Sequence, residues 1–366
     1  MPIRILQVLS SLDRGGAETM IMNYYRNMDR EKVQFDFLVH YEKKGVYEDE
    51  ITQLGGKIYR AFPIRPWNYG KYRRWLKKFF EVHNDYSGVH AHIMENSGFV
   101  LYAAYQAGIP VRIAHSHAHP VLDIKKPFRI YGKSVLKKSN NTCNFSCGID
   151  AGKYLFDDRS FYVLPNAIDI NMFKFDQSTR KEVRRELGIE DELVIGNVAR
   201  FHLLKNHLFL VDVFGKLIEE KQKAKLIFVG EGPEQNRVKE KVNSMNLNDR
   251  VLFLNVRKDV NRILQAIDIF VLPSKTEGLP LSIIEAQASG LPCLLSDRVS
   301  QETAITDLVE FVSLEEGANA WVKTILEISK NERKDVSEEI IKAKYDIYTN
   351  ALFLQNYYID NSKANK

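Results

Sequence analysis

The chain has only three cysteines among its 366 residues, Cys143, Cys147 and Cys293. An odd number at these spacings builds neither a disulfide framework nor a thiolate metal cage, so buried thiols in a reducing compartment are expected. Long apolar runs are missing too: no uninterrupted stretch approaches the roughly 18 residues needed to cross a bilayer. The opening Met1-Pro-Ile-Arg-Ile-Leu reads as a strand and lacks the apolar region and small-residue cleavage site of a signal peptide, which points to a cytoplasmic protein. Excess charge of one sign is small, +5 overall. That is too little to imply nucleic acid, yet it suits an anionic substrate or surface. The sequence also has no Asp-x-Asp metal motif, no internal repeat and no low-complexity tract.

What is present is a globular composition, 45% hydrophobic and 27% charged, long enough for two domains. Ile3 to Leu9 is apolar except at Arg4 and Gln7, as in a strand covered on both faces. Gly15-Gly16-Ala17-Glu18 then leads into an amphipathic helix carrying Met20, Ile21, Tyr24 and Tyr25. Such a glycine pair lets backbone approach a ligand closely, and is equally ordinary turn chemistry. The third glycine of a dinucleotide fingerprint is absent, which argues against a nicotinamide dehydrogenase. Strands are predicted over 33–39, 88–92, 111–117 and 140–147, with helices over 68–83, 97–107 and 148–156. Alternation of this kind specifies a parallel sheet whose ligands lie beyond the carboxyl ends of the strands.

The second half repeats the pattern. Leu193 to Arg200 is a strand followed by Phe201-His-Leu-Leu-Lys205-Asn206, which sets two cations at a fixed separation suited to a diphosphate. Ala224 to Gly230 is a strand entering the turn Gly230-Glu231-Gly232, where glycines allow a flat base or ribose against the backbone. Arg257 stands on a later loop, either stacked on a base or simply solvated. Most informative is Ser274-Lys-Thr-Glu277-Gly278-Leu279-Pro280-Leu-Ser-Ile-Ile-Glu285-Ala-Gln-Ala-Ser-Gly290. It reads strand, loop, helix, with Pro280 in the first turn and Gly290 at the end. Glu277 lies before the helix and Glu285 on it. An anionic group suits the helix N-terminus and hydroxyls suit the carboxylates, and a nucleotide-sugar offers both.

The string from Glu277 through seven residues to Glu285, with Ser289-Gly290 and Leu291-Pro292, resembles the signature of retaining family 4 glycosyltransferases. Arg200-x4-Lys205-Asn206, the Gly230 and Gly232 turn, Gly15-Gly16-Ala-Glu and Pro165-Asn166-Ala167-Ile-Asp169 resemble further family motifs. Ala167 and Ala199 stand where glycine is usual. The resemblance spans nearly the whole chain. It implies an α/β fold of GT-B architecture, two Rossmann-like domains facing across a cleft. Residues 1–170, with a returning helix at about 345–362, form the acceptor domain, and 171–344 the donor domain.

The same resemblance assigns roles. Arg200 and Lys205 stabilise the departing diphosphate, Glu277 and the amides of Gly278 and Leu279 hold the donor sugar, and Glu285 binds the ribose. Gly15, Gly16, Gly230, Gly232 and Arg257 line the donor site, and a histidine, His115 first and His117 second, approaches the sugar. The implied reaction moves a hexosyl unit from a nucleoside diphosphate sugar, a UDP-sugar favoured, to a glycan or lipid-linked glycan with retention of configuration. Alternatives are a sugar-nucleotide epimerase or hydrolase on the same fold, and a non-catalytic nucleotide- or carbohydrate-binding protein.

His115, His117 and His119 alternate along one extended segment, yet no Asp, Glu or Cys cluster completes a metal shell. No metal or other cofactor is expected. Two stretches combine basic and aromatic residues at helical spacing. Over 71–80 the stripe is Tyr72, Trp75, Leu76, Phe79 and Phe80; over 125–138 it is Phe128, Tyr131, Val135 and Leu136. Either stripe packs on the sheet or lies in an anionic membrane surface, and the latter makes a peripheral enzyme.

Overall fold

The computed structural model describes residues 1–13, 15–117, 126–220 and 223–363. Strands rich in β-branched and aromatic residues alternate with helices, and every strand pairing is parallel. Two compact units result: Met1–Ala167 with the segment from Asp346 onward, and Ile168–Tyr345.

In the first unit the strands are β1 (Ile3–Val8), β2 (Val33–Val39), β3 (Ile58–Arg60), β4 (Gly88–Ala91), β5 (Val111–Ser116), β6 (Cys143–Ser146) and β7 (Tyr162–Val163), in the sheet order 3-2-1-4-5-6-7. Helices cover both faces, so even the polar positions of β2 are buried. Asp36 there accepts from Arg4 Nε at 2.8 Å, Tyr86 Oη at 2.8 Å and the Lys57 amide at 2.7 Å, which offsets the cost of taking a carboxylate out of water. The strand predicted over 140–147 shortens to Cys143–Ser146, because Asn140 turns with φ +49°. The helix Ile347–Lys363 returns to this unit. It buries Ile347, Ala351, Leu354 and Tyr358 among Tyr24, Phe35 and Phe145.

The second unit holds β8 (Leu193–Val198), β9 (Ala224–Val229), β10 (Val251–Phe253), β11 (Ile269–Leu272), β12 (Cys293–Ser296) and β13 (Val309–Val312), in the order 10-9-8-11-12-13. The polar stretch ahead of it forms the helix Gln177–Glu186, capped by Asp176, whose carboxylate accepts from the Thr179 amide at 2.7 Å. Both sheets reverse strand order once, between β1 and β4 and between β8 and β11. Crevices at the carboxyl ends of strands flanking such a reversal are where doubly wound sheets bind ligands.

Candidate active site

At the reversal point of the second unit, the loops after β8 and β11 meet. Phe201 anchors the first: it is fully buried and stacks on His207, ring centroids 4.3 Å apart. The loop closes in a short 3-10 turn, Leu203–Lys205, and Asn206 takes a left-handed φ of +58° before the helix His207–Glu220 begins. The second loop is tied to the first by the Lys275 amide donating to the Leu204 carbonyl at 2.7 Å. Glu277 is fixed by its backbone, which bridges Val299 and exchanges hydrogen bonds with Arg298 and Ser300. This bracing brings Lys205 Nζ to 2.6 Å from Glu277 Oε1, both side chains about four-fifths buried. The predicted cation and the carboxylate predicted to hold the sugar therefore neutralise each other.

Arg200 lies five residues ahead of Lys205, exposed and without a side-chain partner among the described residues. The helix after Glu277 is Leu281–Ala288, with Pro280 as its N-cap. The amides of Gly278 and Leu279 find no acceptor among the described residues. With the first turn they present unsatisfied donors and a partial positive charge, suited to oxygen atoms of a ligand. The carboxylate of Glu285, on the same helix, has no hydrogen-bond partner among the described residues, and burial raises its pKa to about 7. An unpartnered carboxylate held in so poor a solvent is poised for hydroxyl donors.

The glycines divide into two kinds. A Cβ on Gly230 would collide with the Ala199 carbonyl, and one on Gly232 with the Phe201 carbonyl. These two are required by the close approach of the chain's own loops. Gly16 and Gly278 open onto space with nothing within 4 Å, so no contact among the described residues demands glycine there. Gly15 is the N-cap of the helix Gly16–Arg26, and its Cβ would displace the Glu18 carboxylate, which receives Ser11 Oγ at 3.5 Å. Arg257 is held by Asp259 through Nε and Nη2 at 2.9 and 2.7 Å, so stacking on a base would first undo that fork.

In the first unit the structure gathers more than was predicted. His90 and His92 follow the line of β4, His115 and His117 that of β5, and the four rings pack with centroids 4.1 to 5.3 Å apart between neighbours. His115 and His117 are brought together, and behind them lie His90, His92, Gln7 and Tyr358, none of which belongs to a motif of the sequence. The missed signal is a second His-x-His, at 90 and 92, on the strand that pairs with β5. Among the described residues, His90, His92 and His115 form the single group whose ligating atoms lie within 4.8 Å of one another. Burial pushes all four imidazoles down, His117 to about 3, and repulsion from neighbouring rings adds to it for His90, His92 and His115, so they are neutral. His119 lies outside the described residues.

The basic stretches differ from each other. In the helix Tyr69–Val82 the stripe Tyr72, Leu76, Phe79 and Phe80 is spent in the core, with Trp75 half-buried, so the charged face, with Val82 at the helix end, is what meets solvent. A membrane surface cannot receive that stripe. In Lys126–Lys137, Val135 and Leu136 are buried, whereas Phe128, Ile130 and Tyr131 are exposed. Its cations have acidic neighbours from other elements: Arg129 pairs with Glu95, and Lys133 and Lys137 with Asp157. Lys125 lies outside the described residues. Among those described, no helix is long and apolar enough to cross a membrane.

Two parallel sheets of this order have the GT-B fold. The fold is shared with Anabaena Alr3699/HepE in complex with UDP, at a TM-score of 0.71 and 18% identity over 100% of this chain and 98% of that one. Residues 14–171 match the model of Glycosyltransferase Family 4, and residues 179–346 that of Glycosyl transferases group 1. A putative glycosyltransferase of Bacillus subtilis, EpsF, is 37% identical over 97% of this chain and 96% of its own length. An Escherichia coli UDP-Gal:alpha-D-GlcNAc-diphosphoundecaprenol alpha-1,3-galactosyltransferase is 30% identical over 65% of this chain and 66% of its own. The chain belongs to the group 1 glycosyltransferases of family 4.

Proposed function

We propose that this glycosyltransferase moves a hexosyl unit from a UDP-sugar to a hydroxyl of a glycan or lipid-linked glycan, with retention, in cell-surface polysaccharide assembly. The observation that carries the reading is the Lys205–Glu277 pair at the reversal point of the second sheet, followed along the chain by a helix whose Glu285 carboxylate has no partner among the described residues. A donor separates the pair: its diphosphate takes Lys205 and its sugar hydroxyls take Glu277. Arg200 adds a second cation, bidentate on phosphate oxygens. As the glycosidic bond breaks, charge grows on the leaving diphosphate, and both cations stabilise it more than they stabilise the ground state. The amides of Gly278 and Leu279 hold the sugar, and Glu285 accepts from the two ribose hydroxyls. The first unit carries the acceptor. The choice of uridine is supported by the names of the E. coli relative and the Anabaena complex. A panel of nucleoside diphosphate sugars, scored by nucleotide released with crude membranes as acceptor, tests the reading. Release from no donor would reject it.

The reaction proceeds without a divalent cation, because two side-chain cations already face the diphosphate. Turnover should survive exhaustive chelation. A loss that magnesium or manganese restores would reject this part.

For a lipid-linked acceptor the enzyme docks on the membrane through the start of the helix Lys126–Lys137. Phe128, Ile130 and Tyr131 are exposed there, 47%, 60% and 42%, and the basic face of Tyr69–Val82 adds charge. Each basic residue near an anionic surface contributes about 1 kcal/mol. Co-sedimentation with anionic liposomes should be strong at low salt and fall as salt screens the surface. Replacing Lys125, Lys126, Lys137 and Lys138 by glutamine should weaken it and leave UDP binding unchanged. Protein that stays in the supernatant at low salt would turn the choice to a soluble acceptor.

A further inference from the structure

The first unit carries a second recess, at the end of its sheet opposite the histidines. In a parallel sheet all strands start at one end. Here β6 starts at Cys143 and β7 at Tyr162, and a groove of about 830 Å³ opens between the segments that lead into them. Its size falls within the roughly 300–1,000 Å³ of ligand sites, but such sites are mostly apolar. This one is walled largely by carboxamides, hydroxyls and two cations, Lys137 and Arg159, and among the described residues no acidic side chain lines it.

The walls are braced from within. Asn144 Nδ2 donates to the Ser160 carbonyl at 2.9 Å, which ties the start of β6 to the approach of β7. Asn141 Nδ2 donates to the Cys143 carbonyl at 3.2 Å and to Asn144 Oδ1. The backbone of Asn140 turns with φ +49°, and its carbonyl accepts from Arg112 Nε at 3.0 Å. Those groups are spent on the protein. The Asn140 carboxamide is exposed and has no partner among the described residues. Tyr162, on the edge strand, is 59% exposed.

Arg159 is the group that asks for a ligand. Its Nε donates to the Phe156 carbonyl at 3.3 Å, and the guanidinium lies 5.6 Å from the centre of the Phe156 ring. Neither terminal nitrogen finds an acceptor among the described residues, although Nη2 is buried. Burial lowers its pKa below the usual arginine value, and Asp157 opposes that only from a distance. The Asp157 carboxylate is taken by Lys133 at 2.9 Å and Lys137 at 3.5 Å. A half-buried cation with unused donors, in a groove without carboxylates, lacks its counter-ion.

We propose that this groove binds an acidic oligosaccharide, with Arg159 on a sugar carboxylate, at the amino ends of the strands and away from their ligand-binding carboxyl ends. The chemistry selects that class. Carboxamides and hydroxyls both donate and accept, which suits ring hydroxyls, and an exposed aromatic ring suits the C–H face of a sugar. The planar guanidinium matches a carboxylate in a bidentate way. Lys137 is already paired, so the charge left over fits a singly charged carboxylate better than a doubly charged phosphate. A neutral glycan leaves Arg159 unpaired, and a small anion leaves Tyr162 and Asn140 unused. The site goes beyond the reaction proposed above and does not depend on it.

The test is backbone-amide NMR on the deuterated full chain, titrated with tetrasaccharides containing uronic acids, neutral tetrasaccharides, glucuronate and inorganic phosphate. At least one acidic tetrasaccharide should shift the amides of 140–144 and 159–163, and neutral ones should bind on the order of tenfold more weakly, the loss of a charge-assisted hydrogen bond. Arg159→Gln should abolish that preference for the acidic chain. Asn140→Asp, which sets a carboxylate in the groove, should weaken the acidic ligand and leave the neutral ones unchanged. Tyr162→Ser should weaken both, and it serves as the test if Arg159→Gln does not fold. None of the three should alter UDP affinity. Acidic tetrasaccharides that leave these amides unmoved would overturn the proposal. So would neutral chains binding equally well, or glucuronate or phosphate alone binding as tightly as the tetrasaccharide, which would mark an adventitious anion site only. Failure of UDP to bind would reject the nucleotide reading instead, with the groove standing.

Discussion

Lys205→Ala and Arg200→Ala should each lower turnover on the order of 10²- to 10³-fold, the size seen when one preorganised donor to a developing anion is removed, while UDP affinity should fall by much less. The asymmetry follows from when the charge appears. In the bound donor the diphosphate shares its charge with the sugar bond; on cleavage it gains a full unit, and a fixed cation nearby then matters most. The two losses should differ in one respect. Arg200 has no partner to abandon among the described residues, so its removal should act through the diphosphate alone. Lys205 also holds Glu277 at 2.6 Å, and its removal leaves that carboxylate uncompensated and free to drift from the sugar. Lys205→Ala should therefore also raise the donor KM, with Arg200→Ala changing mostly kcat. Steady-state kinetics with a fixed acceptor decides it. Unchanged turnover in both, in folded protein, would remove them from the reaction.

Glu285→Gln should weaken UDP binding on the order of tenfold, as expected for loss of a charge-assisted hydrogen bond, and should make the free protein more stable at alkaline pH. Both effects come from one cause. Burial without a partner raises the Glu285 pKa from 4.5 to about 7. A carboxyl whose folded pKa exceeds its unfolded one stabilises the fold only while protonated. That contribution is fully present below about pH 4.5 and is lost as pH rises through about 7. The cost above that pH is on the order of 3 kcal/mol at 1.36 kcal/mol per pKa unit. A neutral glutamine escapes it, so the variant should melt higher at pH 8 and nearly the same at pH 4.5. Binding runs the other way: ribose hydroxyls need the ionised form, so wild-type affinity for UDP should weaken as pH falls below about 7. UDP titrates in this range itself, so the informative quantity is the difference between wild type and variant. Glu277→Gln should leave UDP binding nearly unchanged and impair transfer. If the two variants exchange behaviour, the ribose and sugar roles of Glu277 and Glu285 are reversed.

The second unit was more legible in the sequence than the first, for a physical reason. Its principal candidate residues lie on two short strings, the loop after β8 and the loop and helix after β11, and the reversal of strand order brings the two loops together. Arg200, Lys205, Glu277 and Glu285 could thus be named from spacing and resemblance alone. Alternation of strands and helices also suffices for two parallel sheets, because buried β-strands and amphipathic helices differ in period. The histidine cluster draws on β1, β4, β5 and the final helix at once, and no linear pattern connects Gln7 to Tyr358. Half of it, His115 and His117, was visible at the end of a strand; its partners were hidden in what read as core. The basic helices show a different limit. An amphipathic stripe has the same spacing whether it faces a sheet or a membrane. Only packing separates Tyr72 and Phe80, which are buried, from Phe128 and Ile130, which are not. The glycines of the 230–232 turn, expected to admit a ligand, are demanded by the carbonyls of Ala199 and Phe201.

The helix Ile347–Lys363 gives the molecule an order of assembly. Tyr358 is fully buried against residues of the first unit and bonded to His90, yet it leaves the ribosome after the whole of the second unit. The second unit, continuous in the chain, holds all its strands by Val312 and can close while synthesis continues. The first must wait with an apolar groove open beside Tyr24, Phe35 and Phe145 until its last helix arrives, and it is the part a nascent chain has most need to shield. The half that is made first is finished last.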